Sequence, residues 1–124
     1  MSMLPKWLIL TAALAIPVLV HADTDAVTGV WNVSGKVAGF PVIERCEFQR
    51  HGDSLDGLCR DGGSGAAHAL SQGVVRGDQV TWRYRSRFLV QTYEPQYSGV
   101  IDGGSMKGAI SVAGQSGVFT ADRE

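Results

Sequence analysis

The strongest constraint in this sequence is the spacing of its apolar residues, which alternate with polar ones in short runs after the first two dozen positions. The runs are separated by clusters of Gly, Asp, Asn and Ser, and no stretch there keeps apolar residues at helical spacing. Period-two alternation places apolar side chains on one face of a strand, and such clusters are typical of tight turns. The chain is therefore expected to be all-β.

The alternation predicts eight short strands. They cover residues 27–36, 40–50, 54–60, 66–71, 79–86, 89–101, 105–112 and 117–123. Short strands joined by tight turns favour a small antiparallel up-and-down β-barrel, because closure pairs the edges that an open sheet leaves free. The side chains expected to point inward are Trp31, Val42, Phe48, Leu55, Val80, Trp82, Tyr84, Tyr93, Tyr97, Ile101, Met106, Ile110 and Phe119.

The first 22 residues have the order of a signal peptide. Lys6 precedes an uncharged apolar run from Trp7 to Val20, and the small residue Ala22 precedes Asp23. This run is shorter than the roughly 20 residues that a membrane-spanning helix needs, so a lone anchor is the less favoured alternative. We predict a signal peptide at 1–22, a single domain at 23–124, no stable membrane span after cleavage, and a periplasmic or extracellular location.

The two cysteines are placed symmetrically about a predicted turn. If that turn centres on Gly52 and Asp53, Cys46 faces Cys59 at a non-hydrogen-bonded position. Opposed Cα atoms there lie about 4.5 Å apart, which is within disulfide range. An exported protein enters an oxidising compartment, which favours formation of the bridge. A disulfide that closes so short a loop adds about 3 kcal/mol to the free energy of unfolding. The alternative is a pair of buried reduced thiols.

A second predicted hairpin turns between Asp102 and Ser105. Its register places Ile101 opposite Met106 and Tyr97 opposite Ile110.

Both ends of the predicted domain resemble a known family. Gly29-Val30-Trp31 contains the Gly-x-Trp of the first strand of lipocalins and related calycin barrels. Residues 104–108 and 114–121, with the Gly-x-Phe-x-Ala-x-Arg of 117–123, resemble the closing hairpins of small exported bacterial barrels of that kind. True lipocalins are much longer. The resemblance implies that Arg123 packs over Trp31 and closes one end of the barrel, a contact worth about 0.5–2 kcal/mol.

Four aromatic residues are candidates for a ligand site at the other end, namely Trp82, Tyr84, Tyr93 and Tyr97. Such rings stack well on a small apolar or aromatic ligand, although aromatic groups more often simply fill a core. The resemblance and these rings together predict an exported, non-enzymatic binding protein.

Two polar residues fall near the same region. Glu44 has the parity of Cys46 and Phe48, so it points inward and either orients a polar ligand or lies hydrated at the open end; we favour the hydrated position. For His68 one alternative is that it faces the barrel mouth and binds a ligand; because it has no partner at metal-ligand spacing, we favour a histidine that is solvated or hydrogen-bonded once.

The sequence contains no recognisable catalytic constellation. Its Gly-Ser stretches lack the nucleophile-elbow pattern, and Asp53, Asp56 and Asp61 lack the spacing of a calcium loop. Without Lys6, ten basic residues face twelve acidic ones, which argues against a nucleic-acid partner. We predict no catalytic residues, no metal and no cofactor.

The alternative function is protein binding. Residues 29–35 also resemble the opening segment of small periplasmic inhibitors of metalloproteases, which are eight-stranded barrels with one disulfide. Those inhibitors insert a free N-terminal arm into the protease, whereas only residues 23–27 precede the predicted first strand here, and the middle-region motif of the inhibitors is absent. The resemblance nevertheless implies a protein partner as the alternative.

Overall fold

The computed structural model describes residues 25–124, so the predicted signal peptide at 1–22 lies outside the described residues. Within 25–124 there is no helix long and apolar enough to cross a membrane. The described chain forms ten strands: β1 (Gly29–Val37), β2 (Phe40–His51), β3 (Ser54–Asp61), β4 (Ala67–Arg76), β5 (Gln79–Tyr84), β6 (Ser86–Phe88), β7 (Gln91–Tyr93), β8 (Gln96–Asp102), β9 (Ser105–Val112) and β10 (Gln115–Arg123).

Eight of these strands close into an antiparallel barrel in the order β1, β10, β9, β8, β5, β4, β3 and β2. Strand β1 pairs with both β2 and β10, and this double pairing completes the circle and removes the free edges. Strands β6 and β7 form a separate two-stranded sheet. The predicted eight-stranded antiparallel barrel is therefore confirmed.

The predicted pairing of the two cysteines is also confirmed. Cys46 on β2 faces Cys59 on β3, their Cα atoms lie 4.0 Å apart, and the sulfurs are bonded to each other. Alternate residues of β2, Glu44, Cys46 and Phe48, are buried while their neighbours are exposed. This alternation directs the disulfide into the interior of the barrel.

The β8–β9 hairpin has the predicted register, with Tyr97 opposite Ile110. Gly99 faces Gly108 in this hairpin, and a Cβ atom added to Gly108 would overlap the carbonyl oxygen of Ser98. A Cβ atom on Gly99 would come within 2.9 Å of the ring of Phe119. Glycine is needed at position 99 because the ring of Phe119 occupies the space that a side chain there would fill.

The predicted strand at 89–101 is wrong. The chain leaves the barrel wall after β5, forms the β6–β7 hairpin, and returns only with β8. The hairpin turns at Leu89, whose φ of 58° is unusual for a residue with a branched side chain. Leu89 and Val90 are apolar and are not turn-forming residues, so the sequence here gives no sign that the strand is interrupted. Strand β4 also extends to Arg76, beyond its predicted end at residue 71.

One end of the barrel is filled by side chains. The guanidinium carbon of Arg123 lies 5.0 Å from the ring centroid of Trp31, and Arg123 also donates hydrogen bonds to the carbonyl oxygens of Ala26 and Thr28. The indole nitrogen of Trp31 donates to the carbonyl oxygen of Val27 at 2.8 Å. The resemblance described above implied that Arg123 packs over Trp31, and the structure brings these two side chains together at this end.

The middle of the barrel is packed with aromatic rings. Trp82 stacks on Tyr97 with ring centroids 4.9 Å apart, and it meets Phe48 and Phe119 edge-on at 4.9 and 5.5 Å. Such offset and edge-on contacts suit the charge distribution of aromatic rings. The aromatic layer separates the closed end from the opposite end, where the interior is not filled.

Candidate functional site

The end of the barrel opposite Arg123 opens into a pocket of about 940 Å³. The turns between β1 and β2, β3 and β4, and β9 and β10 surround it, and the β6–β7 hairpin contributes Phe88 and Tyr93. Its remaining lining residues are Val37, Ala38, Phe40, Pro41, Val42, Ile43, Glu44, Asp61, Gly63, Ser64, Tyr84, Pro95, Tyr97, Ile110, Val112, Ala113 and Gln115. The wall is therefore mainly apolar.

The turns at this end are tight. Ala38 and Ala113 have positive φ values of 51° and 52°, and each is followed by a glycine that also has positive φ. Two successive residues with positive φ form the primed turns that suit the twist of a hairpin. Both alanines line the pocket.

The floor of the pocket is polar and aromatic. Glu44, Tyr84 and Tyr97 are buried lining residues, and Glu44 is only 4 % exposed. The hydroxyl of Tyr84 donates to Oε2 of Glu44, and the hydroxyls of Tyr84 and Tyr97 lie 3.2 Å apart. The other carboxylate oxygen, Oε1, has no hydrogen-bond partner among the described residues.

Burial dominates the electrostatics of this floor. Removal from water raises the pKa of Glu44, while the hydrogen bond from Tyr84 and the nearby hydroxyl of Tyr97 oppose that rise. Burial and the nearby Glu44 carboxylate both raise the pKa of Tyr84 and that of Tyr97. The two phenols are therefore neutral hydrogen-bond donors at any physiological pH.

His68 supports the floor from the side. Its ring stacks on that of Tyr84, with centroids 4.6 Å apart and planes inclined by 10°. Its Nε2 atom lies 3.0 Å from Oδ2 of Asp61, a residue that lines the pocket. His68 on β4 therefore contacts both Tyr84, at the floor of the pocket, and the carboxylate of Asp61, at the end of β3.

The mouth of the pocket is unusually apolar. Phe40, Ile43 and Phe88 line it and are exposed. Next to Phe88 along the chain, Leu89 and Val90 are also exposed, at 79 % and 85 %. Large exposed apolar patches mark interaction sites more often than isolated surface residues do. The apolar character of the pocket therefore continues outward to its rim.

The structure separates the four aromatic residues that sequence reasoning grouped as a ligand site. Tyr84 and Tyr97 lie at the floor, and Tyr93 lies on the β6–β7 hairpin, where its hydroxyl donates to Gln91 at 2.8 Å. Trp82 is fully buried in the aromatic layer and does not line this pocket. It has inward parity like Tyr84, but it lies two residues deeper along β5.

Glu44 corrects a second expectation. We expected it to be hydrated at the open end, whereas it is buried and bonded to Tyr84. Its inward parity was visible in the sequence. Its partner was not, because Tyr84 lies 40 residues away on a strand that reaches Glu44 only across the barrel interior. His68 has the single kind of polar contact that we expected, with Asp61.

One group of potential metal ligands occurs among residues 25–124. Donor atoms of Glu44, Cys46 and Cys59 lie within 4.8 Å of one another. Metal binding by cysteine requires the thiolate, and both sulfurs are joined in the disulfide. This arrangement is therefore a carboxylate packed near a disulfide, and it does not fit a metal.

Comparison with known proteins supports the fold. Neither a protein-family model nor a curated protein sequence matches the chain. Among solved structures, the redesigned β-barrel b11L5F_LGL is similar with a TM-score of 0.65 and 15% identity, covering 82% of this chain and 94% of that one. The redesigned β-barrel mFAP1, bound to DFHBI, has a TM-score of 0.57 and 12% identity, covering 82% and 97%. This chain therefore shares the architecture of small designed β-barrels.

Proposed function

We propose that this protein is an exported binding protein that holds a small apolar or aromatic ligand in the pocket at the open end of its barrel. The observation that carries the proposal is the pocket itself, about 940 Å³ with mainly apolar walls and a few polar groups at its floor. Sites for small molecules in proteins commonly have volumes of about 300–1,000 Å³ and this distribution of polarity.

A structural neighbour adds support from the same architecture. The redesigned barrel mFAP1 is bound to DFHBI. A small β-barrel whose interior is only partly filled by side chains has room for one small ligand. Here the aromatic layer around Trp82 fills the middle of the barrel and leaves the open end for a ligand.

The proposal is one of binding without catalysis. The hydroxyl of Tyr84 is committed to Glu44, and burial raises the pKa of Tyr84, so this phenol is a poor nucleophile. His68 is oriented by Asp61 but stacks against Tyr84, and its ring does not line the pocket. The polar groups of the floor are therefore suited to orient a bound ligand and not to react with it.

The proposed location is the periplasm or the extracellular space. The buried Cys46–Cys59 disulfide supports it, because such bridges form and persist in oxidising compartments. The signal-peptide order of residues 1–22 is the second support.

Binding can be tested with the neutral fluorescent dye Nile red, whose emission shifts when it enters an apolar site. We expect saturable binding to the purified protein, and native mass spectrometry of periplasmic material should show a retained ligand. Val42→Trp should weaken dye binding, since Val42 is a half-buried lining residue and the larger side chain extends into the empty pocket. Val100→Trp, on the outer face of β8, is the matched control.

The outcome against the proposal is equally direct. Dye binding that is absent, or that responds equally to Val42→Trp and Val100→Trp, would mean that the pocket does not take apolar ligands.

The alternative function, protease inhibition by an inserted N-terminal arm, gains no support from the segment before β1. Val27 is buried, and its carbonyl oxygen accepts the hydrogen bond from Trp31. Arg123 holds the carbonyl oxygens of Ala26 and Thr28. From Ala26 onward this segment is part of the closed end, so it is not free to enter a protease cleft.

A further inference from the structure

We propose that the floor of the pocket is a subsite for an ammonium group, so that the preferred ligand is an apolar or aromatic amine. This inference rests on the proposed binding function and names the class of ligand. The observation behind it is the buried carboxylate of Glu44. Neither the packing of the aromatic layer nor the disulfide requires a carboxylate at this position.

Glu44 offers one free acceptor to the pocket. Oε2 is bonded to Tyr84, while Oε1 is buried and has no partner in the part of the chain that the structure describes. A buried carboxylate oxygen without a donor is destabilising, and native structures seldom retain one without a functional reason. A ligand that brings a hydrogen-bond donor to Oε1 would satisfy it.

The charge of the pocket selects a cationic donor. Among the described residues that line it, the charged side chains are the carboxylates Glu44 and Asp61, with no Lys or Arg. Nearby carboxylates in an apolar cavity attract a cation and repel an anion more strongly than they would in water. An anionic ligand such as a fatty acid would place its carboxylate against Glu44 and is therefore disfavoured.

The tyrosine hydroxyls favour the same choice. The hydroxyls of Tyr84 and Tyr97 lie 3.2 Å apart, and Tyr84 is bonded to Glu44, so both hydroxyl oxygens are close to the carboxylate. A primary ammonium has three donors and no acceptor, so it can bond to Oε1 and to the lone pairs of the hydroxyls. The apolar walls above the floor would then cover the hydrocarbon part of the ligand.

The test compares, by calorimetry at neutral pH, three probes that each have a phenyl ring on a four-carbon chain and differ in the group at the chain end, namely phenylbutylamine, phenylbutanol and phenylbutyrate. A charge-assisted hydrogen bond in a buried site corresponds to about a tenfold to hundredfold gain in affinity. We expect the amine to bind more tightly than the alcohol by that factor, and phenylbutyrate to bind most weakly.

Variants assign the preference to its source. Glu44→Gln should lower the affinity for the amine to that for the alcohol while leaving the alcohol unchanged. Glu44→Asp retains the charge and should retain the preference. Glu47→Gln removes a carboxylate from the exposed face of the same strand and should behave like the wild type.

The outcomes separate the two proposals. Equal affinities of the wild-type protein for the amine and the alcohol would overturn the ammonium subsite and leave the apolar pocket intact. A preference for the amine that survives in Glu44→Gln would also overturn it. If none of the three probes binds and Nile red does not bind either, the pocket is not a ligand site and both proposals fail.

Discussion

Arg123, at the end of the last strand, lies over the ring of Trp31 in the first strand, with its guanidinium carbon 5.0 Å from the ring centroid. The same guanidinium holds the backbone of residues 26 and 28, which precede β1. The contact therefore joins the two ends of the described chain where β1 and β10 close the barrel. Filling this end with side chains leaves the pocket at the opposite end as the opening of the barrel.

Truncation of Trp31 tests how much this closed end contributes. The side chain is fully buried, so Trp31→Ala removes its packing, its hydrogen bond to Val27 and the surface on which Arg123 rests. Truncations of large aromatic residues in cores cost about 3–5 kcal/mol, and we expect that loss in urea denaturation. Val118→Ala, at an exposed position on β10, is the control. An unchanged denaturation midpoint for Trp31→Ala would remove the closing role assigned to it.

The disulfide offers a second test of stability. Cys46 and Cys59 are 13 residues apart, and a cross-link that closes a loop of about this length contributes about 3 kcal/mol by restricting the unfolded chain. The double variant Cys46→Ala and Cys59→Ala should therefore melt at a lower temperature in calorimetry. Addition of a reducing agent should lower the melting temperature of the wild type and leave that of the double variant unchanged. Equal melting temperatures of the two oxidised proteins would contradict the prediction.

Gly108 tests the close packing of the β8–β9 hairpin. A Cβ atom at this position would overlap the carbonyl oxygen of Ser98, so Gly108→Ala must push the two strands apart. Such overpacking costs about 1–3 kcal/mol, measurable by thermal denaturation. At Gly104, in the turn of the same hairpin, a Cβ atom meets nothing within 4 Å, and Gly104→Ala should change stability little. Similar losses for both variants would argue against the close approach.

Local pattern was sufficient to predict much of the barrel. The symmetry of Cys46 and Cys59 about a turn and the turn after Asp102 predict two hairpin registers that the structure confirms. These pairings are local in sequence, so parity and turn residues determine them together.

The alternation of apolar and polar residues did not predict where the chain leaves the barrel wall, nor which side chains meet across the interior. Leu89 turns the β6–β7 hairpin with positive φ, a conformation that its residue type does not signal. The alternation along β2 predicted that Glu44 points inward. Its hydrogen bond to Tyr84, however, depends on how β2 and β5 face each other across the barrel. The relative depth of Trp82 and Tyr84 likewise depends on the tilt of the strands, which period-two alternation does not encode.

The buried carboxylate should give the protein a distinctive dependence on pH. Burial raises the folded-state pKa of Glu44 above its ordinary value of 4.5; the Asp61 carboxylate adds to the rise, while His68 and the tyrosine hydroxyls oppose it. Below the unfolded pKa, Glu44 is protonated in both states and burial costs little. As the pH rises through the folded pKa, the carboxyl must ionise inside the barrel, and the stability associated with its neutral form is lost.

Glu44→Gln should therefore stabilise the protein at neutral pH and have a smaller effect in acid. The amide keeps an acceptor for Tyr84 and cannot ionise, so the variant avoids the cost of a buried, incompletely paired charge, about 1–3 kcal/mol. Urea denaturation from acid to neutral pH should show a stability difference that grows as the pH rises above about 4.5. Glu47→Gln, at an exposed position of the same strand, should track the wild type throughout. A Glu44→Gln curve parallel to that of the wild type would mean that the carboxylate is already ionised and well solvated in the folded protein.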